Sequence, residues 1–259
     1  MNQDLTGQTA VVTGGSKGIG LAIVRALAGS GAHVIAGAKH SSAELDEQAR
    51  SGHVQVVEVD LAAAPGPAML VAAAGPRVDI LVNNVGGAPA RPEGFLSITD
   101  QDWLATLNLD LMAAIRACRA ALPAMLAAGS GTIITICSVN ARLPDPAVLD
   151  YSTAKAGLAA FCKGLSKEVG PHGIRVNTIS PGPVATDLWL GADGVARTVS
   201  AATGATPEDV AKQAASQMVT GRFTQPSEVA DLVLFLAGSR AGNITGADFT
   251  IDGGLVPTW

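Results

Sequence analysis

Residues 9–20 read TAVVTGGSKGIG, an apolar β-branched run that passes directly into a glycine-rich turn. Because Val and Thr favour extended structure, residues 9–13 are expected to form a buried strand. Gly14, Gly18 and Gly20 then permit a tight turn, close approach of a ligand to the backbone, and close packing of the helix that follows. A pyrophosphate can sit at the N-terminus of that helix, so the stretch predicts a dinucleotide-binding strand–turn–helix unit.

The same alternation of strand and helix continues along the chain. Further strands are predicted at residues 33–38, 54–59, 79–83, 131–137, 173–180 and 247–251. Helices are predicted at residues 19–30, 43–51, 68–74, 100–128, 151–169 and 226–237. This order predicts an α/β fold, a single doubly wound Rossmann-type domain over residues 1–259, with helices on both faces of a seven-stranded parallel sheet. Right-handed crossovers gather the carboxyl ends of the strands at one edge, where such sheets bind ligands.

Composition narrows the function. Hydrophobic residues make up 48% of the chain and charged residues 15%, which suits a sheet covered on both faces. A net charge of -5 without a cluster of Lys and Arg argues against nucleic acid or an anionic membrane as a partner and favours small molecules. The N-terminus does not resemble a signal peptide and no uncharged apolar stretch has the length of a membrane span, so a cytoplasmic location is expected. Cys118, Cys137 and Cys162 are expected to be buried thiols, and no metal site is predicted.

A second motif, YSTAK at residues 151–155, carries the chemistry. Tyr151 and Lys155 are four residues apart, so on a helix the Lys155 ammonium approaches the phenol and favours its ionised form. A free phenol has a pKa of about 10 and needs such help to exchange protons near neutrality. Ser138 follows the predicted strand at residues 131–137, where its hydroxyl can align a carbonyl oxygen with Tyr151. These residues predict a proton donor for a carbonyl that a nicotinamide cofactor reduces.

With these motifs the sequence resembles the short-chain dehydrogenase/reductase family over its whole length, and is similar to the ketoreductases of the 3-oxoacyl-carrier-protein reductase type. The markers are residues 13–20, Asp60, residues 83–86 (NNVG), Asn108, Ser138, Tyr151, Lys155, Asn177, residues 181–182 (PG) and residues 252–254 (DGG). The resemblance implies a catalytic tetrad of Asn108, Ser138, Tyr151 and Lys155. In that tetrad Asn108 holds a water that links Lys155 to solvent, and Lys155 also holds the nicotinamide ribose. Val85 and the pair Asn140 and Ala141 depart from the common pattern and affect the expected pocket shape.

The resemblance also implies a set of cofactor contacts. Asp60 is expected at the adenine ring, Asn83 at the adenosine ribose, and Val184 and Thr186 at the nicotinamide carboxamide. The full set is Gly14, Ser16, Lys17, Gly18, Ile19, Gly20, Lys39, Ser41, Asp60, Leu61, Asn83, Gly86, Tyr151, Lys155, Pro181, Gly182, Val184 and Thr186.

Charge at the end of the second strand indicates which cofactor is used. An Asp at this position would bond both ribose hydroxyls of NAD, but the chain has Ala38, followed by Lys39. Lys39, with Lys17 and the hydroxyls of Ser41 and Ser42, can hold a 2′-phosphate. NADP(H) is therefore the preferred cofactor, and NAD(H) is possible.

Substrate contacts are expected from Ser138, Asn140, Leu143 and Trp189, and from a loop and helical insertion at residues 181–225 that contains a helix at 207–218. The expected walls are mainly apolar, which favours a neutral ketone. The predicted activity is reversible NADPH-dependent reduction of a ketone to a secondary alcohol, with Tyr151 as general acid/base. One alternative is a 3-oxoacyl-carrier-protein reductase, although Gly129 and His172 stand where such enzymes tend to carry Arg. A remote alternative is a nicotinamide-binding sensor without catalysis.

The helix predicted at residues 151–169 is apolar on more than one face, which indicates a further partner surface. The family resemblance implies a homotetramer. The terminal run, residues 255–259, is expected either to pack across such an interface or to fray.

Overall fold

The computed structural model describes residues 4–192 and 194–258. In these ranges seven parallel strands form one sheet in the order β3-β2-β1-β4-β5-β6-β7. The strands are β1 Thr9–Thr13, β2 His33–Ala38, β3 Val54–Glu58, β4 Ile80–Asn83, β5 Gly131–Ile136, β6 Ile174–Pro181 and β7 Asp248–Ile251. The predicted doubly wound fold is confirmed, because the chain starts at β1 in the middle of the sheet, builds outward to β3, and then crosses to β4 and the other edge.

Helices cover both faces of the sheet. They are α1 Gly18–Gly29, α2 Ala43–Ala49, α3 Gly66–Ala72, α4 Asp100–Leu107, α5 Ala113–Ala128, α6 Leu149–Val169, α7 Asp187–Leu190, α8 Val195–Thr203, α9 Pro207–Ser216 and α10 Pro226–Ala237. The sequence did not predict α7 and α8, and only α7, a single turn, is too short to carry a periodic signal. The helix predicted at residues 100–128 is continuous in path, but a π-helical turn at Asn108–Met112 separates α4 from α5.

The core lies in two layers, one on each side of the sheet. Helices α1 and α10 cover one face, where Ile23, Leu27 and Val233 pack with alternate strand residues such as Val12 and Val34. Helices α3, α5 and α6 cover the other face, and their core residues include Leu70, Ala121, Met125 and Leu158. Both faces of the central strands are buried, which explains why these strands read as continuous apolar runs. The three cysteines are buried, as predicted.

The helix from Asp100 to Ala128 is long and apolar enough to cross a membrane by length and composition. It is not an uncharged stretch, because it contains Asp110, Arg116 and Arg119. Ala117, Cys118, Ala121 and Met125 of this helix are buried against the sheet. A helix that packs on a core needs the same apolar composition.

Candidate active site

The glycine-rich turn joins β1 to α1 at the carboxyl edge of the sheet. The N–H groups of Gly14 and Gly15 donate to the Gly37 carbonyl of β2 at 2.7 and 3.0 Å, which holds the turn against the neighbouring strand. A Cβ on Gly20 would overlap the Gly14 carbonyl, so this position needs glycine. The first turn of α1 has no side-chain cap, so its N–H groups can serve a phosphate. This turn fits a dinucleotide pyrophosphate.

Two adjacent asparagines at the end of β4 point in different directions. Asn84 donates its amide N–H groups to the carbonyls of Thr13 and Gly14 at 3.0 and 2.9 Å, and it lines the crevice beside the turn. Asn83 is buried, and its amide donates to Thr135 Oγ1 at 3.2 Å and to Cys118 Sγ at 3.4 Å. The structure therefore does not bring Asn83 to the predicted ribose site. Successive strand side chains point to opposite faces, and Asn84 has the orientation that was expected of Asn83.

The adenosine end of the crevice carries mixed charge. Lys39 Nζ lies 3.3 Å from Asp60 Oδ2, and both side chains are exposed. The pKa of Asp60 lies below its ordinary value, mainly because its carboxylate accepts the Ala62 N–H and, to a smaller extent, because it pairs with Lys39. Leu61 is buried. The structure thus places the two predicted contacts Lys39 and Asp60 next to each other, as an ion pair.

The hydroxyls predicted for the 2′-phosphate lie close to this ion pair but already have protein partners. Ser42 donates to the Ser16 carbonyl at 2.6 Å, the Ser41 hydroxyl donates to Asp46, and the Ser41 N–H donates to Glu58 at 2.9 Å. Lys17 is exposed at the start of α1. A phosphate bound here has to exchange some of these bonds for its own.

The structure brings Ser138, Tyr151 and Lys155 together, as predicted. Lys155 Nζ lies 5.5 Å from the centroid of the Tyr151 ring and donates to the Ile136 carbonyl of β5 at 3.2 Å. The Ser138 hydroxyl donates to Asn140 Oδ1 at 3.2 Å and accepts the N–H of Asn140 at 3.1 Å. Its effect on the Tyr151 phenol is to lower the pKa of that group. Ser138, Tyr151 and Lys155 all line the same cavity.

Asn108 is not part of this group. Its Oδ1 accepts a hydrogen bond from Arg116 at 3.1 Å, about two turns further along the helix. The residue that faces Lys155 is Asp110, whose Oδ1 lies 3.6 Å from Lys155 Nζ, with both side chains almost fully buried. The structure thus brings Asp110 rather than the predicted Asn108 to Lys155, and both residues lie in the π-helical turn, which changes the angular position of its side chains.

Burial dominates the electrostatics of the three ionisable groups. It raises the pKa of Tyr151 above its ordinary value and outweighs the opposing effect of Lys155. Burial alone would lower the pKa of Lys155, but Tyr151 and Asp110 together raise it. Burial also raises the pKa of Asp110 to about 6 in spite of the nearby ammonium. Lys155 lowers the phenol pKa, as expected, but burial has the larger effect and the net shift is upward.

A cavity of about 610 Å³ opens above these groups. The predicted substrate residues Ser138, Asn140, Leu143 and Trp189 all line it. Predicted cofactor residues that also line it are Ile19, Gly86, Tyr151, Lys155, Pro181, Gly182, Val184 and Thr186. The outer wall comes from α7, α8 and α9, and Trp189 is held there by an edge-on contact with Phe223 at 5.4 Å between ring centroids. The insertion at residues 181–225 thus supplies one side of the cavity.

A family model described as "Enoyl-(Acyl carrier protein) reductase" matches residues 13–256. The chain belongs to the short-chain dehydrogenase/reductase family. Among its relatives in this family, the D-threitol dehydrogenase of Mycolicibacterium smegmatis is 38% identical over 96% of this chain and 93% of its own length. A 3-oxoacyl-[acyl-carrier-protein] reductase of Chlamydia trachomatis is 32% identical over 97% of this chain and 98% of its own. The crystal structure of L-sorbose reductase from Gluconobacter frateurii, complexed with NADPH and L-sorbose, superposes with a TM-score of 0.90 at 33% identity, covering 100% of both chains.

In this short-chain dehydrogenase/reductase, sequence reasoning missed Asn84 and Asp110. Asp110 is the one charged residue in the run WLATLNLDLMAAI, residues 103–115. A lone carboxylate in an apolar helix is a usable signal, because it needs a buried partner. Asn84 gave no such signal, because it is adjacent to Asn83 and of the same residue type.

Proposed function

We propose that the protein catalyses reversible NADPH-dependent reduction of a neutral ketone to a secondary alcohol. One observation carries this proposal. The Ser138 hydroxyl, the Tyr151 phenol and the Lys155 ammonium meet at the base of a cavity that adjoins the glycine-rich turn. The bound nicotinamide supplies the hydride. Ser138 and Tyr151 hold the carbonyl oxygen, and Tyr151 gives it a proton as negative charge grows there.

The charge of the cavity supports a neutral substrate. Among the described residues that line it, Lys155 is the only Lys or Arg, and it is paired with Asp110. No unpaired cation is left among them for a substrate carboxylate. The walls are mostly aliphatic, with amides from Asn140, Gln213 and Gln217. These amides suit a ketone that carries hydroxyl groups, the class to which L-sorbose belongs.

The proposal is tested by initial rates of NADPH oxidation with hydroxyketones, simple alkyl and aryl ketones, β-ketoesters and acyl-carrier thioesters. Turnover of free ketones is expected, together with oxidation of the corresponding alcohols by NADP⁺. Turnover confined to ketones with a carboxylate would overturn the neutral-substrate assignment. Silence on every substrate in both directions would overturn the function.

Reduction of a 3-oxoacyl carrier thioester is the second candidate, because the family model and the Chlamydia trachomatis relative both carry carrier-protein names. At positions 129 and 172, where such enzymes tend to carry Arg, this chain has no arginine to bind an acidic carrier protein. Gly129 ends α5 in a left-handed turn and has no side chain, and His172 is exposed but is not an arginine. Rates on carrier thioesters that exceed those on every free ketone would favour this candidate. The sensor alternative has less support, because Ser138, Tyr151 and Lys155 are assembled.

We infer that NADP(H) is preferred over NAD(H). Support comes from Lys39 after Ala38 and from the NADPH in the L-sorbose reductase complex. Lys39→Asp is expected to weaken NADPH binding about tenfold or more and to leave NADH nearly unchanged, since a charge-assisted hydrogen bond contributes about 1.5–3 kcal/mol. Dissociation constants of both cofactors, measured by tryptophan fluorescence, check this. Arg50→Asp changes the charge equally at the end of α2 and serves as control. An unchanged NADPH-to-NADH ratio in Lys39→Asp would contradict the assignment.

A homotetramer is proposed from the outer face of α6, where Ala156, Gly157, Ala160 and Gly164 are exposed and small enough for close helix packing. Light scattering coupled to size exclusion is expected to give four times the chain mass of 26.0 kDa. Ala160→Arg is expected to give a smaller species, and a monomeric wild type would contradict the proposal.

Trp259 lies outside the described residues, whereas Leu255 lines the cavity and the Val256 N–H donates to Asp252 at 2.7 Å.

Three further expectations stay predictions. Residues 1–259 are proposed to form one dinucleotide-binding domain with the substrate insertion at 181–225. A cytoplasmic location is proposed, and neither nucleic acid nor a membrane is expected as partner.

A further inference from the structure

The carboxylate of Asp110 is built into the site from two sides. It accepts the Gly87 N–H at 3.1 Å, which ties it to the turn after β4. A Cβ on Gly86 would come close to Asp110 Oδ1, so the glycine lets the carboxylate lie directly under this turn. On its other side the same oxygen faces Lys155 at 3.6 Å. A buried acid that is held this closely acts on the charge of its neighbour throughout the reaction.

Among the described residues, several other ionisable groups act on this pair. Tyr151 and Lys155 come from α6, and Cys137 comes from the end of β5. The Cys137 thiol stays neutral, because burial raises its pKa. Asp150 also acts on Asp110 but is occupied by Arg91 at 2.8 Å and by the Thr106 hydroxyl at 2.8 Å. Lys155 is therefore the cation that Asp110 and Tyr151 share.

We propose that the Asp110 carboxylate offsets the charge of Lys155 and so keeps the Tyr151 phenol protonated, the form that reduces a carbonyl. The catalytic role of this effect rests on the proposed function. The effect itself depends only on the side chains of Asp110, Tyr151 and Lys155. With an amide at position 110, Lys155 would act on the phenol undiminished and the phenolate would form at lower pH. Asp110 thus acts through Lys155 as a positioning residue for the proton.

The single tyrosine of the chain makes a direct test possible. The ultraviolet absorbance of tyrosinate reports Tyr151 alone, without a substrate, and pH jumps read in a stopped-flow instrument precede alkaline unfolding. Asp110→Asn is expected to lower the midpoint of this titration by about one pH unit, the usual effect of one nearby charge. The alkaline rise of alcohol oxidation by NADP⁺ is expected to move by the same amount.

Asn108→Asp is the matched control, because it adds a carboxylate two residues away beside Arg116 and is expected to leave the Tyr151 midpoint in place. An unchanged midpoint in folded Asp110→Asn would overturn the inference, even if activity falls, since a purely structural role does not move the phenol. If Asp110→Asn does not fold, Asp110→Glu provides the second test. Asp110→Glu keeps the negative charge and is expected to retain the wild-type midpoint of the Tyr151 titration. A midpoint about one pH unit lower, the shift expected for a neutral residue at position 110, would overturn the inference.

The titration also separates this inference from the proposed function. A shifted midpoint in a protein that turns over no ketone or alcohol would retain the role of Asp110 and remove the proposed reaction. Turnover of ketones with an unshifted midpoint would retain the proposed reaction and remove the role of Asp110.

Discussion

Tyr151→Phe is expected to lower the rate of ketone reduction by about 10²–10⁴-fold, the usual contribution of a positioned general acid. The variant loses only the phenolic hydroxyl, and the ring can keep its place on α6. NADPH binding is therefore expected to stay within about twofold of wild type, so the loss falls on kcat. Steady-state kinetics and a fluorescence titration with NADPH measure the two quantities separately.

Thr153→Val provides a control for this variant. It removes a hydroxyl from the exposed face of the same helix, where the Thr153 side chain donates only to the Leu149 carbonyl. Its activity is expected to equal that of wild type. A Tyr151→Phe enzyme with wild-type kcat would remove Tyr151 from the mechanism.

Lys155→Met is expected to remove activity and to lower the free energy of unfolding at pH 8 by about 3–5 kcal/mol, because it leaves the buried Asp110 carboxylate without its partner. The folded-state pKa of Asp110 is already raised to about 6 by burial. A carboxyl whose pKa is raised on folding favours the folded state at low pH, and this contribution is lost as pH rises through the folded pKa. Without Lys155 the folded pKa is higher still, so the variant is expected to be much less destabilised at pH 5.

Urea unfolding of wild type and Lys155→Met at pH 5 and pH 8 checks this expectation. The double variant Lys155→Met with Asp110→Asn removes both charges and is expected to recover most of the stability at pH 8, though not the activity. Lys167→Met, at an exposed position of the same helix, is expected to cost less than about 1 kcal/mol. Equal destabilisation of Lys155→Met at both pH values would contradict a buried charged pair.

Most of the fold followed from local pattern. Each strand from β1 to β7 was predicted within about two residues, because central parallel strands are short apolar β-branched runs between glycine-rich turns. Helix α7 was missed since a single turn shows no periodicity of its own, whereas α8 was missed although its nine residues are amphipathic. They form where the insertion closes over the cavity, and the contact of Trp189 with Phe223 joins segments that are far apart in the sequence.

The amino-acid sequence by itself determined the doubly wound sheet, because strands and helices alternate along the chain. It also determined the glycine turn for a dinucleotide and the pairing of Tyr151 with Lys155, because each depends on residue spacing within a short segment. Only the tertiary structure decided which of two nearby polar residues faces the site. Asn84 rather than Asn83 faces the crevice because side chains alternate along the end of β4, and Asp110 rather than Asn108 meets Lys155 because a π-helical turn changes the angular position of the residues it contains. Such orientations depend on the packing of α5 and α6 against the sheet, which residue spacing alone does not determine.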